Sequence, residues 1–357
     1  MSERKVCKLR DISIMRNGQK RPKGSGEYPV YGGNGIMEFS NSYNAENIIV
    51  VGRVGAYCGN VHRCKGKCWI SDNAISLSAN NFVDTDYLYY SLCSLNLNHQ
   101  HIGGAQPLIT QDIIGRFEIS LPSLEEQRSI VDILIAIDRK IEVNKRINDN
   151  LEQQAQALYK SWFVDFEPFK DSDFVESELG LIPDGWRCGL LSELLAIKYG
   201  KDHKKLSDGD IPVYGSGGIM RYVDTKLYEG EAVLIPRKGS LNNVMYVNEP
   251  FWTVDTMFYS TAKESNSGIY SYLFLTNKDL ASMNAGSAVP SMTTDILNNL
   301  QLIIPPKEVL KSFNTLCFIL FKRMKQNIIE NMNLGNQRDS LLPKLMSGEL
   351  KINDLDC

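Results

Sequence analysis

"YPVYGGNGIM" occupies residues 28–37, and "IPVYGSGGIM" occupies residues 211–220. Seven of the ten positions are identical, 183 residues apart in a chain of 357. The offset holds elsewhere. Trp69 and Asp72 fall on Trp252 and Asp255; Gly103, Pro107 and Asp112 fall on Gly286, Pro290 and Asp295; Pro122 falls on Pro305. With a one-residue slip, Gly18 matches Gly200 and Arg53 matches Arg237. The chain is therefore two copies of one unit of about 180 residues, far longer than a solenoid repeat. Each copy is long enough to bury its own core.

Apolar content is ordinary for a globular protein, and no apolar run is long enough to cross a membrane. The N-terminus "MSERKVCKLRDI" lacks the apolar core of a signal peptide, so a cytoplasmic location with reduced thiols is expected. Net charge is −3, but it is unevenly spread: residues 1–122 carry +3 and residues 123–180 carry −6. Local patches, not bulk charge, would have to attract a polyanion.

Within each copy, the first 120 or so residues read as a head of short strands. "NIIVVGRVGAY" and "EAVLIPRKGS" are β-branched runs broken by glycine, while "CWISDNAISLS" and "FWTVDTMFYST" alternate apolar and polar residues. "YLYYSLCSLNL" and "IYSYLFLTNKDL" predict a short helix inside each head. After Pro122 the period changes. Ser123 and Glu126 form a capping-box pattern, and nothing breaks the helix from there to about Lys160. Ile130, Leu134, Ile137, Ile141, Asn144, Asn148 and Leu151 fall at alternating spacings of four and three, a coiled-coil seam. In the second copy the seam runs through Leu320, Met324, Asn327, Asn331 and Leu334, so asparagines land on asparagines. A buried seam Asn costs stability and fixes register; these could instead face solvent. One narrow apolar stripe that long needs a partner, and the other copy's helix is available. Antiparallel pairing would set two heads at opposite ends of a rod, as in a dimer fused into one polypeptide. Two unequal heads would suit two unequal half-sites on a duplex, separated by bases the protein ignores. On that view the repeated peptides supply one scaffold twice, and the differing loops do the reading.

At this point the chain resembles the specificity subunits of type I restriction–modification systems. The resemblance rests on "LPSLEEQRSIVDILIAIDRKIEVNKRIND", "ALYKSWFVDFEPF", "GLIPDGW" and the terminal "LLPKLMSGEL", in the order head, helix, head, helix. The second helix departs from it, reading "KEVLKSF" where the first reads "EEQRSI". The resemblance implies an α+β fold with an internal two-fold repeat: two β-rich target recognition domains separated by two long antiparallel α-helices. The boundaries expected are 1–122 for the first domain, 123–168 for a spacer helix and linker, 169–305 for the second domain, and 306–357 for the second spacer helix and tail. It further implies a non-catalytic subunit that binds a bipartite, asymmetric site on double-stranded DNA. Two modification (methyltransferase) subunits and restriction subunits would be its partners. S-adenosylmethionine, ATP and Mg would sit on those partners, with no cofactor or metal in this chain. A fused methylase–nuclease partner is the alternative.

Candidate DNA contacts follow from basic residues at glycine-containing turns. Lys20, Arg21 and Lys23 in "NGQKRPKG" and Lys201, Lys204 and Lys205 in "YGKDHKKL" occur at the same point of the repeat. Arg53 and Arg237 align; Lys238 has no basic match, since Val54 stands there. Arg63, Lys65 and Lys67 form a basic stretch absent from the second copy, and Gln106 stands where the second copy has Val289. A glutamine there can pair with adenine, as Arg21 can with guanine. Cys58, His62, Cys64 and Cys68 lie within eleven residues, but the spacing lacks a C-x₂-C pair and the second copy has no such set, so thiols are expected rather than zinc. Trp69 and Trp252 read as core anchors, not base-stacking platforms. No phosphate loop occurs, nor an Asn/Asp-Pro-Pro-aromatic loop of the kind a methyltransferase uses.

Overall fold

A computed structural model describes residues 4–100, 102, 107–283 and 291–352. The chain divides into two compact units, residues 1–144 with 329–357, and residues 145–328. Each unit therefore takes one head and part of both long helices, a division by packing that cuts across the segments read from sequence.

The first unit contains β1 (Lys5–Lys8), α1 (Leu9–Ile12), β2 (Ser13–Asn17), β3 (Tyr28–Gly32), β4 (Gly35–Ser40), β5 (Ala45–Gly52), β6 (Val61–Ile70), β7 (Ala74–Ala79), α2 (Thr85–Ser94), α3 (Gln111–Gly115) and β8 (Glu118–Leu121). The long helix α4 (Leu124–Phe163) follows and runs on into the second unit. There the chain forms β9 (Phe174–Ser177), β10 (Gly180–Pro183), β11 (Arg187–Leu190), α5 (Leu191–Leu194), β12 (Leu195–Tyr199), β13 (Asp208–Gly215), β14 (Gly218–Val223), β15 (Tyr228–Pro236), β16 (Met245–Thr253), β17 (Met257–Ala262), α6 (Gly268–Thr276), α7 (Thr294–Asn298) and β18 (Gln301–Ile304). The last helix, α8 (Lys307–Ser347), returns to the first unit.

Among the described residues the six-stranded sheet is reproduced strand for strand, while the β9–β10 hairpin has no counterpart in the first unit. One six-stranded sheet has the order β2-β7-β5-β6-β3-β4 and the other β12-β17-β15-β16-β13-β14. In each, a strand of the repeated peptide lies parallel to the tryptophan strand, Val30 beside Trp69 and Val213 beside Trp252. β5 and β15 are the central apolar runs; Ile49, Val50 and Val51, and Val233, Leu234 and Ile235, are buried. The predicted head helices are α2 and α6. Each buries a tyrosine whose hydroxyl donates to a backbone carbonyl of the strand leading into a long helix, Tyr87 to Ser120 and Tyr270 to Ile303. Burying that ring and satisfying its hydroxyl ties the head to the helix entry.

Within each unit the helix segments run antiparallel. In the first, Asp138 meets Arg338 at 2.8 Å and the Asn331 amide donates to the Ile141 carbonyl. Ile130 and Leu134 are fully buried there, Ile137, Ile141 and Leu334 half-buried. In the second, the Asn148 amide donates to the Met324 carbonyl at 3.1 Å, and Leu151, Leu320 and Met324 are half-buried. The asparagines settle the open alternative. Asn144 and Asn327 are 0% and 1% exposed. Asn144 donates to Asn331 at 2.9 Å in one unit; Asn327 donates to Asn148 at 2.7 Å in the other. Each bond is the other transposed by the repeat. Two amides that must find each other penalise every shifted register.

The helix termini explain the words that carried the resemblance. The Ser123 hydroxyl caps Glu126 N–H at 3.3 Å, while the Glu126 carboxylate also holds Arg4. Gln127, fully buried, donates to the Pro122 carbonyl at 2.9 Å and accepts from Asp84 N–H at 2.8 Å. At the other end of α4, "SWFVDFEPF" forms an aromatic plug: Phe163 packs on Trp186, Tyr270 and Phe313, and Phe166 on Trp186. In "LLPKLMSGEL", Leu342, Leu345 and Met346 join the core of the first head with Leu88 and Leu92. Each motif seats a helix end on a head.

Candidate nucleic-acid interface

Four loops meet at one place in each unit. The loop after β2 begins at Gly18, where a β-carbon would fall 1.9 Å from the Ser71 carbonyl; at Gly200, after β12, it would fall 2.0 Å from the Val254 carbonyl. Only glycine allows that backbone crossing, which explains the matched pair. The tryptophans complete the anchor. Trp69 Nε1 donates to the Gln19 carbonyl and Trp252 Nε1 to the Lys201 carbonyl. Trp252 is buried in the core as expected, whereas Trp69 is only half-buried and outside it; both anchor the basic loop.

The turn between β3 and β4 touches the loop after β5. A β-carbon on Gly33 would lie 3.3 Å from the Tyr57 β-carbon of that loop, and His62 Nε2, at the start of β6, bonds the Gly33 carbonyl at 3.0 Å. In the second unit, Asn243 Nδ2 donates to the Ser216 carbonyl at 2.8 Å, and Gly239 closes on Ser216. The fourth segment bonds to that same loop: Ile109 N–H to the Arg53 carbonyl, and Met292 N–H to the Arg237 carbonyl. Gln106 lies outside the described residues.

This face carries most of the predicted cations. Lys20, Arg21 and Lys23 are exposed, and Arg21 makes only a solvent-exposed pair with Glu38 at 3.4 Å. Lys201, Lys204 and Lys205 are exposed too; the backbone N–H of Lys204 holds the Asp202 carboxyl below the usual range. The Arg237 guanidinium sits 5.4 Å from the Tyr199 ring centroid and donates to the Asp255 carbonyl, so bracing and outward presentation coexist. Lys238 is exposed beside it.

One prediction on the basic stretch of β6 needs correction. Arg63 is consumed inside the fold. It pairs with Asp86 at 2.7 Å, donates to the Cys64 carbonyl and to Asn47 Oδ1 at 2.6 Å each, and its side chain is only 9% exposed. With its donors spent, it braces the β5–β6 ladder and offers nothing to a ligand. Lys67 lies opposite Glu46, whereas Arg53 follows the far end of that ladder, where Val51 lies opposite Val61. Lys67 is stacked on Tyr43 at 4.5 Å, and Lys65 is exposed nearby. Lys67 is two residues from Trp69, which holds the basic loop at Gln19, so both lysines stay exposed on the strand that carries that anchor. Among the described residues no group of three or more potential ligands could hold a metal ion, and Cys58, Cys64 and Cys68 are free, buried thiols.

A model of the type I restriction modification DNA specificity domain matches residues 1–153 and 183–331. The chain belongs to this DNA specificity family. The MjaIX specificity subunit of Methanocaldococcus jannaschii is 29% identical over 305 residues, covering 76% of this chain and 71% of that protein. The HindI specificity subunit of Haemophilus influenzae is 26% identical over 332 residues, covering 69% and 72%. A type I restriction–modification S subunit from M. genitalium superposes with a TM-score of 0.62 at 18% identity, over 97% of this chain and 96% of that one, which shows a shared fold. Among the described residues, no helix is long and apolar enough to cross a membrane. The chain is thus a DNA sequence-specificity subunit whose two heads repeat one loop cluster.

Proposed function

We propose that each loop cluster contacts one half of a bipartite, asymmetric DNA site, and that the chain itself performs no chemistry. One observation carries this reading. The same four loops are locked together twice by equivalent backbone contacts, yet they present different side chains: Arg53 and Val54 in one unit, Arg237 and Lys238 in the other. A shared frame with unequal readers is what two unequal half-sites require. The lysines supply affinity through phosphates, and arginines can pair with guanine. Of the histidines the sequence offers, His62 is tied to a backbone carbonyl within the frame, which suits a structural task. Two methyltransferase subunits, bringing S-adenosylmethionine, and restriction subunits, bringing ATP and Mg, are the proposed partners. Replacing residues 1–122 with the head of another specificity subunit tests the reading. Sequencing of methylated DNA should then show one altered half-site and one unchanged; alteration of both halves would reject separate recognition.

A further inference from the structure

The repeated decapeptide does more than its frame requires. Val30 and Val213 are buried, and a β-carbon on Gly32 or Gly215 would fall 2.4 Å from the sulfur of Met37 or Met220. Gly35 and Gly218 turn the hairpin with φ of +87° and +111°, where only glycine is unstrained. These positions have structural reasons to be the same in both copies. Met37 and Met220 lie over Gly32 and Gly215 but remain exposed, and among the described residues Ile36 and Ile219 have no such contact to account for their identity. Ile36 and Met37 are 52% and 40% exposed, Ile219 and Met220 47% and 60%. The same two apolar side chains thus stand in water at the same hairpin tip, on a sheet-edge strand, twice. Edge strands ordinarily carry charge at such places, because apolar edges invite association.

Resting on the reading that the loop clusters face DNA, we propose that each Ile-Met tip is an apolar wedge that presses into the duplex at its own half-site without reading sequence. Three observations favour DNA as the occupant. The tip's turn packs on the loop bearing Arg53 through Gly33 against Tyr57, and on the loop bearing Arg237 and Lys238 through Ser216 against Asn243 and Gly239. The basic loop lies against the tip strand in the first unit, since Arg21 reaches Glu38 on β4. And the tips are identical where the cationic readers differ, so they perform a task common to unequal half-sites. Ile and Met are among the side chains that unstack a base step when pushed into the minor groove. A methyltransferase must take its target base out of the stack, and a step already opened lowers that cost.

The test uses the full chain with the methyltransferase subunit it copurifies with, and duplexes that the wild-type complex retains from a randomised pool, labelled at both ends. Ile36→Ser and Ile219→Ser should each weaken binding about tenfold. The slope of affinity against salt should stay unchanged, because no cation is removed. In the double variant, end-to-end energy transfer should fall back towards that of free DNA. Ile36→Leu, equally folded by melting temperature, should bind as wild type. Reselection with Ile36→Ser should return the same motif; a changed half-site would overturn the proposal, because the tip would then be reading bases. Undiminished binding would also overturn it, and so would loss of self-association or of copurification alone, which would make the tips a protein contact. A wild-type complex that retains no motif would overturn both this proposal and the recognition reading, whereas a retained motif with indifferent tips would overturn this one only.

Discussion

Replacing Lys20, Arg21 and Lys23 by alanine probes the basic loop directly. Among the described contacts Lys20 and Lys23 have no ion pair, and Arg21 has an exposed one with Glu38 at 3.4 Å. Such a pair is worth under about 1 kcal/mol, so Arg21 is released to a phosphate at little cost. Each phosphate contact contributes about 0.9 to the slope of log affinity against log salt. Losing three flattens the slope by about 2.7. Between about 50 and 200 mM salt, wild type should then lose about fortyfold more affinity than the triple variant. Fluorescence anisotropy with a labelled duplex at several salt concentrations measures this. The loop is anchored through Gly18 and Trp69, not through these side chains, so melting temperature should hold. A slope within about 0.5 of wild type would remove the loop from the DNA surface and leave the twofold recurrence of basic loops without its proposed reason.

Other outcomes follow from the helices. Asn327 Oδ1 is buried without a hydrogen bond in the structure. Replacing Asn148 and Asn327 together by leucine should raise stability in urea by about 1–3 kcal/mol while loosening register; Asn327→Leu alone, which strips the donor from Asn148, should lower it by about 1 kcal/mol. Burial pushes the Glu152 carboxyl above its ordinary value, with Tyr272 and Gln156 bonding to it. The folded form then holds its proton where the unfolded form has lost it, so this group's contribution to stability falls as pH rises from the ordinary carboxylate value through the raised one. Glu152→Gln should flatten the urea midpoint across that window, and an unchanged pH profile would refute the assignment. Removing one heptad from both α4 and α8, in matched positions around Asn144 and Asn331, shortens each helix by about 10.5 Å. The gap in the methylated motif should shrink by about three base pairs; an unchanged gap would show that the helices do not set it.

Much of the candidate site was legible in sequence, and the failures have causes. Gly18, Gly200, Trp69 and Trp252 could be matched through the repeat because backbone crossings, and indoles that hold a loop carbonyl, tolerate few substitutes. Arg63 could not be assigned, because a guanidinium looks the same in sequence whether it faces solvent or meets Asp86, 23 residues later. The Ile-Met tips were in plain view, yet an apolar repeat reads as core until exposure is known.

The sequence by itself determined the doubling, the head–helix order and the seam, because these are periodicities, and periodicity survives without coordinates. It also marked which asparagines belong to the seam. Only the tertiary structure decided that those asparagines are buried against each other, that Gln127 and the aromatic plug lock the helix ends, and that four separate loops form one surface. Those facts depend on contacts between residues far apart in the chain, and such contacts are fixed only when the strands pair and the helices find their register.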